Sequence, residues 1–151
     1  MKTVGYPESE VAMKLSTRGK YGIYAMYYLA QHAGEGPQSL QSIATIGVPK
    51  QYLEQLLGNL RRAGLVGTVR GAQGGYQMVK TPAEVTLLNI LDAVEGPIEL
   101  SECTSDEHHC DKSCQCPVRA VWQRVTDSIN RELGSITLQS MLTPQESEEQ
   151  R

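Results

Sequence analysis

Residues 39–64 have the sequence SLQSIATIGVPKQYLEQLLGNLRRAG, which contains two short helical patterns separated by a Gly-Val-Pro turn. Ser39 can cap the first helix, and Gly47 ends it. Pro49 favours the first turn of the second helix, whose leucines lie on one face: Leu53, Leu56, Leu57 and Leu60. Two short helices joined by a tight, glycine-containing turn are typical of a helix-turn-helix pair.

A β-hairpin is predicted directly after this pair. Leu65–Val69 and Tyr76–Val79 have the composition of strands, and the segment 70–75 between them, RGAQGG, is a glycine-rich turn. A hairpin that follows a helix-turn-helix is a wing. The predicted fold class is therefore mainly α with a small β-hairpin wing, in which a winged helix-turn-helix domain precedes a long C-terminal dimerisation helix.

The rest of the chain divides by composition and periodicity. A helical period begins at Ser16 or Thr17, either of which can cap the first helix. Met13 offers an alternative start to Met1. The predicted division is a flexible arm over 1–12, the winged domain over 13–80, a connecting helix over 81–98, a Cys-rich sensor loop over 99–117, a dimerisation helix region over 118–142 and a disordered tail over 143–151.

The last long helix, which Pro117 opens, carries an apolar stripe. Its apolar residues recur at short helical steps, as in a coiled coil: Val118, Val121, Trp122, Val125, Ile129 and Leu133. A chain of this size leaves little else to cover the stripe, so a second copy is the expected partner. We therefore predict a homodimer interface at Val121, Trp122, Val125 and Ile129. The alternative is that the stripe packs onto the chain's own winged domain.

The two halves of the 151-residue chain carry opposite charge, although its net charge is only −3. Residues 13–80 have eight basic and two acidic side chains, whereas residues 81–151 have five basic and thirteen acidic ones. A basic half suits a polyanion such as DNA, although charges scattered over a solvated surface give the same balance. No apolar run approaches the roughly 18–20 residues that span a bilayer, so we expect a cytoplasmic protein without a membrane partner.

The N-terminal part of the second helix of the pair is the expected DNA-reading element. Glutamine can bond adenine bidentately and glutamate can accept from the cytosine amino group. The expected contacts are therefore Lys50, Gln51, Glu54 and Gln55. In the wing, Arg70 suits the narrow minor groove, and the backbone can approach DNA closely at Gly71, Gly74 and Gly75. Taken alone, a glycine-rich hairpin is usually only a turn, and Arg61 and Arg62 are phosphate contacts or solvated charges.

All four cysteines lie close together, in the pattern Cys103-x6-Cys110-x3-Cys114-x-Cys116-Pro117. Such a cluster in a cytosolic protein favours metal binding or redox chemistry over structural disulfides. The spacings do not match the paired knuckles of structural zinc sites, and iron–sulfur clusters accept more varied loops. From the residues alone, an iron–sulfur cluster, zinc and free redox thiols remain open. His108 and His109 are candidate ligands, although adjacent loop histidines are more often solvated.

Four motifs in order resemble the IscR/NsrR/CymR family of winged-helix repressors over roughly residues 13–142. They are MKLSTRGKYG at 13–22, QYLEQLL at 51–57, LRRAGLV at 60–66 and VRGAQGGY at 69–76. The resemblance implies a dimeric bacterial transcription factor that binds a roughly palindromic double-stranded DNA operator. It also implies that the third helix and the wing touch DNA, which transfers to Gln51, Glu54, Gln55 and Arg70.

The resemblance further implies an iron–sulfur cluster, of the 2Fe–2S rather than the 4Fe–4S type, held by Cys103, Cys110 and Cys116, with Cys114 as a candidate fourth ligand. IscR-like members place a His three residues after the last Cys, where this chain has Arg119. NsrR-like members use an Asp from the first helix of the other subunit, where this chain has Arg18-Gly-Lys20. CymR-like members bind no cluster and act through a protein partner.

We therefore predict a repressor that senses cluster status, redox or nitrosative signals through its Cys-rich loop. The alternative is a cluster-free regulator of the same family, acting as a thiol or metal sensor or through a protein partner. A thiol–disulfide enzyme is a remote third reading, because the acidic residues around the cysteines disfavour the thiolate that such an enzyme needs.

Overall fold

The computed structural model describes residues 15–100 and 116–143, and within these ranges the predicted fold class is confirmed. The predicted arm over 1–12, Met13, most of the tail, and the cysteines at 103, 110 and 114 lie outside the described residues. The elements are α1 (Thr17–Gln31), α2 (Leu40–Ile43), α3 (Lys50–Arg62), β1 (Val66–Val69), β2 (Gly75–Met78), α4 (Leu87–Val94), α5 (Pro117–Ser135) and α6 (Leu138–Leu142).

The helix boundaries follow from local capping chemistry. Ser16 Oγ accepts the N–H of Gly19 at the start of α1, and Ser39 Oγ accepts the N–H of Ser42 at the start of α2. A 3₁₀ turn continues α2 to Ile46, after which Gly47 takes a φ of +93° and ends it. Pro49 is the residue before α3 rather than part of its first turn.

The helix-turn-helix pair is built on the predicted leucine face. Leu53, Leu56, Leu57 and Leu60 are at most 1% exposed, and they join one core with Met26, Leu29 and Ile43. Burying a leucine side chain contributes about 1.5–3 kcal/mol, so this face fixes the orientation of α3. The polar residues of the helix are left on the outside.

The wing is an antiparallel hairpin in which Val66 pairs with Met78 and Val69 with Gly75. The strand bounds differ by one residue from their prediction: β1 begins one residue later and ends as predicted, and β2 spans Gly75–Met78 instead of Tyr76–Val79. The segment before α2 also pairs with the wing. Gln38 and Tyr76 exchange both backbone hydrogen bonds, each at 2.8 Å, so the hairpin is attached to the helical core.

The single connecting helix predicted over 81–98 is wrong. A 3₁₀ turn occupies Pro82–Glu84, Val85 is extended, and α4 begins only at Leu87. The Thr81 N–H and hydroxyl both donate to Glu84 Oε2 at 2.9 Å, and the bond from the Thr81 backbone is the main reason that the pKa of Glu84 is below its ordinary value. The helix is interrupted because the backbone at 85–87 pairs with residues 136–138.

The C-terminal helices are divided near Gly134, since α5 ends at Ser135. Val85 O accepts the N–H of Leu138, and Leu87 N donates to Ile136 O. These bonds place α6 on the winged domain, where Leu138 is fully buried in the main core. The predicted region 118–142 thus contains two different parts: α5, which extends from the domain, and α6, which completes its core.

Candidate nucleic-acid interface

The outer face of α3 presents the four predicted contact residues together. Lys50, Gln51, Glu54 and Gln55 are all exposed, on the opposite side of the helix from the buried leucines. The first turn has no acidic residue, and no side chain caps it. Its N–H groups and the positive end of the helix dipole are therefore free to favour a phosphate.

A surface groove of about 640 Å³ runs beside this face and adds Arg18, which was not among the predicted contacts. Arg18, from the first turn of α1, lines it together with Gln51, Glu54 and Gln55. Arg62 lines it from the far end of α3, where its guanidinium donates to Asn59 Oδ1. In the sequence, only the net positive charge of residues 13–80 hints at a role for Arg18 in DNA binding. The groove itself forms only when α1 packs on α3.

The tip of the wing carries Arg70, which is exposed, as is Gly71 beside it. The glycines that follow are close to the protein's own backbone. A Cβ atom on Gly74 would lie 2.1 Å from Val69 O, and one on Gly75 would lie 2.2 Å from Gln38 O. Internal packing thus accounts for Gly74 and Gly75, and their approach to DNA stays a prediction. Gly71 has open space and a φ of +121°, which favours glycine in the turn.

The apolar stripe of α5 faces away from the winged domain. Val121, Trp122 and Val125 are 58%, 40% and 39% exposed, and Ile129 is half-buried. Val121, Val125 and Ile129 line a groove of about 460 Å³ along the helix. Within the described residues, Val121, Trp122 and Val125 are thus not enclosed by the chain's own domain, and their place in a dimer interface stays a prediction. Thr126, one turn after Trp122, is buried, and its hydroxyl donates to Trp122 O at 2.9 Å.

Cys116 is the one predicted ligand inside the described ranges. It is the residue before α5, its thiol is free and half-buried, and it makes no side-chain capping bond. Residues 15–100 and 116–143 contain no group of three or more His, Cys, Asp or Glu side chains that could hold a metal by themselves. A metal site that uses Cys116 would therefore need ligands from outside these ranges or from a second copy of the chain. No helix within the same ranges is long and apolar enough to cross a membrane.

Comparison with known proteins agrees with this architecture. The model of the Rrf2 family, described as an iron-dependent transcriptional regulator, matches residues 15–144. The chain belongs to the Rrf2 family. Among curated relatives of this Rrf2 protein, the transcriptional regulator CymR of Bacillus subtilis is 40% identical over 139 residues, which is 91% of this chain and 96% of CymR. IscR of Photorhabdus laumondii is 36% identical over 135 residues, covering 89% of this chain and 82% of IscR.

Solved structures give the same result for the fold. IscR of T. potens superposes on the Rrf2 protein with a TM-score of 0.73 at 41% identity, covering 93% of each chain. CymR of B. subtilis, titled the global cysteine regulator of that organism, gives a TM-score of 0.69 at 40% identity, over 86% of this chain and 96% of that one. The predicted family is confirmed, and the protein is a DNA-binding transcriptional regulator. Its relatives are named as regulators rather than as enzymes.

Proposed function

We propose that this Rrf2 protein is a homodimeric repressor that reads a roughly palindromic operator with α3 and the wing, and that its Cys-rich segment senses the signal. The observation that carries the proposal is the exposed polar face of α3. Four side chains able to bond base edges or phosphates lie on it, while the leucines behind them are buried. A helix held in this way can enter the major groove by its N-terminal end.

The exposed stripe of α5 supports the homodimer. Large apolar side chains in one row along a helix are the pattern by which helices pair. Two copies joined through Val121, Trp122, Val125 and Ile129 would present two recognition helices to two half-sites. This is why the operator is expected to be roughly palindromic. Association with chromosomal DNA would place the protein in the cytoplasm.

The chemistry of the Cys donors fits an iron–sulfur cluster. Four thiols lie within residues 103–116, and thiolate sulfur is the ligand that iron–sulfur clusters prefer. Cys116 is half-buried rather than enclosed in the core, and it lies at the start of α5. Cys103, Cys110 and Cys116 would hold a 2Fe–2S cluster, with Cys114 as the candidate fourth ligand. Such a cluster supplies one-electron redox chemistry and reactivity toward oxygen or nitric oxide.

A cluster-free regulator, acting as a thiol or metal sensor or through a protein partner, is the second candidate. Two observations favour it: the 40% identity to CymR over nearly the whole chain, and Arg119 at the position where IscR-like members carry histidine. The absorption spectrum of protein purified without oxygen separates the two candidates. Visible bands with bound iron and sulfide support the cluster. A colourless protein that binds neither after anaerobic reconstitution excludes it and leaves the thiol or zinc reading.

Selection of duplexes from a random library by the purified full-length protein tests the DNA-binding part. We expect an enriched sequence with two-fold symmetry, bound more tightly than a scrambled duplex at the same salt concentration. Gln55→Ala should reduce this preference, because Gln55 is assigned to a base edge. Enrichment of a sequence without symmetry would overturn the two-half-site arrangement, and equal binding of all duplexes would overturn sequence reading by α3.

A further inference from the structure

A side chain from the C-terminal end of α4 holds the first turn of α1. Glu95 Oε1 accepts a hydrogen bond from the N–H of Gly19 at 3.0 Å, although the two residues are 76 positions apart. The local cap, Ser16 Oγ, accepts from the same N–H at 3.3 Å. The carboxylate is the nearer acceptor, and a charged acceptor makes the stronger bond to a backbone N–H.

Two glycines of α1 allow α4 to come this close. A Cβ atom on Gly19 would lie 2.9 Å from Leu91 Cδ2 and 3.1 Å from Glu95 Oε1. A Cβ atom on Gly22 would lie 3.1 Å from both methyl carbons of Val94. The side chains of α4 therefore pack directly on the backbone of α1. Because close-packed elements transmit a displacement rather than absorb it, the first turn of α1 and the end of α4 must move together.

The next turn of α1 contacts the first turn of α3. The ring of Tyr21 packs edge-on against the ring of Tyr52, with centroids 5.9 Å apart and planes at 76°. Tyr52 directly follows Lys50 and Gln51 at the N-terminal end of the helix. Tyr52 and Glu95 further line one shallow depression together with Arg18 of the first turn of α1. Glu95 is thus linked through α1 to the end of α3 that presents the polar face.

We propose that Glu95 is a positioning residue for DNA recognition. By holding the first turn of α1, its carboxylate fixes Tyr21 against Tyr52 and thereby sets the position of the N-terminal end of α3. The inference rests on the proposed function, in which this end of α3 reads the operator. Glu95 is also the C-cap residue of α4 and lies four residues before the start of the predicted Cys-rich segment over 99–117.

The test compares three variants of the full-length protein. Glu95→Ala removes the acceptor, and Glu95→Gln keeps an oxygen that can accept the Gly19 N–H. Asp92→Ala is the matched control, because Asp92 is an exposed acid one turn earlier on α4.

We measure affinity for the selected operator and for a scrambled duplex at one salt concentration, together with the thermal unfolding midpoint. Glu95→Ala should lose about tenfold in the operator-to-scrambled ratio, the size expected for loss of a charge-assisted bond. Glu95→Gln should recover most of that ratio, and Asp92→Ala should equal the wild type.

The unfolding midpoint separates positioning from simple capping. If Glu95→Ala lowers the midpoint but keeps the operator-to-scrambled ratio well below that temperature, Glu95 only stabilises the fold and the inference is wrong. If Glu95→Ala does not fold, Glu95→Asp serves instead, since it keeps the charge but shortens the reach to Gly19. Gln55→Ala in the same assay distinguishes failure of this inference from failure of the proposed DNA reading by α3. Loss of discrimination in Gln55→Ala with none in the Glu95 variants overturns this inference alone, whereas no loss in any variant overturns reading by α3.

Discussion

Gln38 and Tyr76 exchange both backbone hydrogen bonds, with N···O distances of 2.8 Å, and so attach the wing to the segment that leads into α2. The hairpin itself has only two strands, and an isolated two-stranded hairpin is marginally stable in water. The pairing with Gln38 supplies a third strand-like neighbour on the β2 side. The direction in which Arg70 points is therefore set by the helical core as well as by the turn.

Gly75 makes this pairing possible, so Gly75→Ala should destabilise the protein. The added Cβ would fall 2.2 Å from Gln38 O, which forces the wing away from the core. We expect a cost of about 1–3 kcal/mol in the free energy of unfolding. Gly58→Ala is the matched control, because Gly58 lies inside α3 with nothing within 4 Å of its Cβ position. That change should stabilise the protein by about 0.5–1 kcal/mol. Urea unfolding measures whether the two variants change the free energy of unfolding in opposite directions. Equal changes would contradict the close approach at Gly75.

Arg70→Ala should weaken operator binding while leaving the fold intact. Arg70 is exposed at the wing tip, and an arginine in the minor groove contributes about 1–3 kcal/mol to binding. Fluorescence anisotropy at matched salt measures the loss, and circular dichroism checks the fold. Lys80→Ala removes another exposed cation, outside the hairpin strands, and should have the smaller effect. Wild-type affinity in Arg70→Ala would exclude the wing from the DNA interface.

Val125→Glu should convert the dimer into monomers. Val125 lies in the middle of the exposed stripe, beside Val121 and Ile129 in the same groove. A second copy of α5 would enclose the new carboxylate without a partner charge, at a cost of several kcal/mol. Sedimentation velocity reports the mass, and operator affinity should fall because two half-sites are no longer joined.

The control for this change lies on the other face of α5. Gln123→Lys also introduces a charge, but residue 123 is exposed and already bonds Asp127, which a lysine can pair with. It should remain dimeric. A dimer that persists in Val125→Glu would place the interface away from the stripe.

Serine substitutions at the four cysteines should separate ligands from spare thiols. Cys103→Ser, Cys110→Ser and Cys116→Ser should each abolish or severely destabilise the cluster, since a hydroxyl binds iron less well than a thiolate. Cys114→Ser tests the fourth position by the same visible spectrum. Loss of colour makes Cys114 a ligand. Retained colour assigns the fourth position to His108, His109 or a group from the partner subunit.

Sequence reasoning succeeded where the determining contacts are local. The spacing of Leu53, Leu56, Leu57 and Leu60 predicts the buried face of α3, and the hydroxyls of Ser16 and Ser39 mark helix starts, because capping and helical periodicity act within one or two turns. The exposed recognition face follows from the same periodicity. The four polar residues that it places outside, at 50, 51, 54 and 55, are exposed in the structure.

The failures have non-local causes. Val85 lies in a sequence that favours a helix from Pro82 onward, yet its carbonyl bonds Leu138, more than fifty residues later. The Glu95–Gly19 bond spans 76 positions, and the place of Arg18 in the groove depends on how α1 packs on α3. None of these contacts produces a periodic pattern in the sequence. Pairing partners at such distances are decided by the tertiary fold as a whole.

The burial of Leu138 also limits how this regulator can be truncated or fused to other domains. The obvious place to cut a modular protein is the entry to the long helix, which would release residues 13–98 as a DNA-binding fragment. That fragment would lack the backbone partners of residues 85–87, and it would lack Leu138, which is buried in its core. Any chimera that joins this winged domain to a foreign dimerisation helix must therefore also include residues 136–143. In such a chimera the chain leaves the winged domain for the helix and then returns to it.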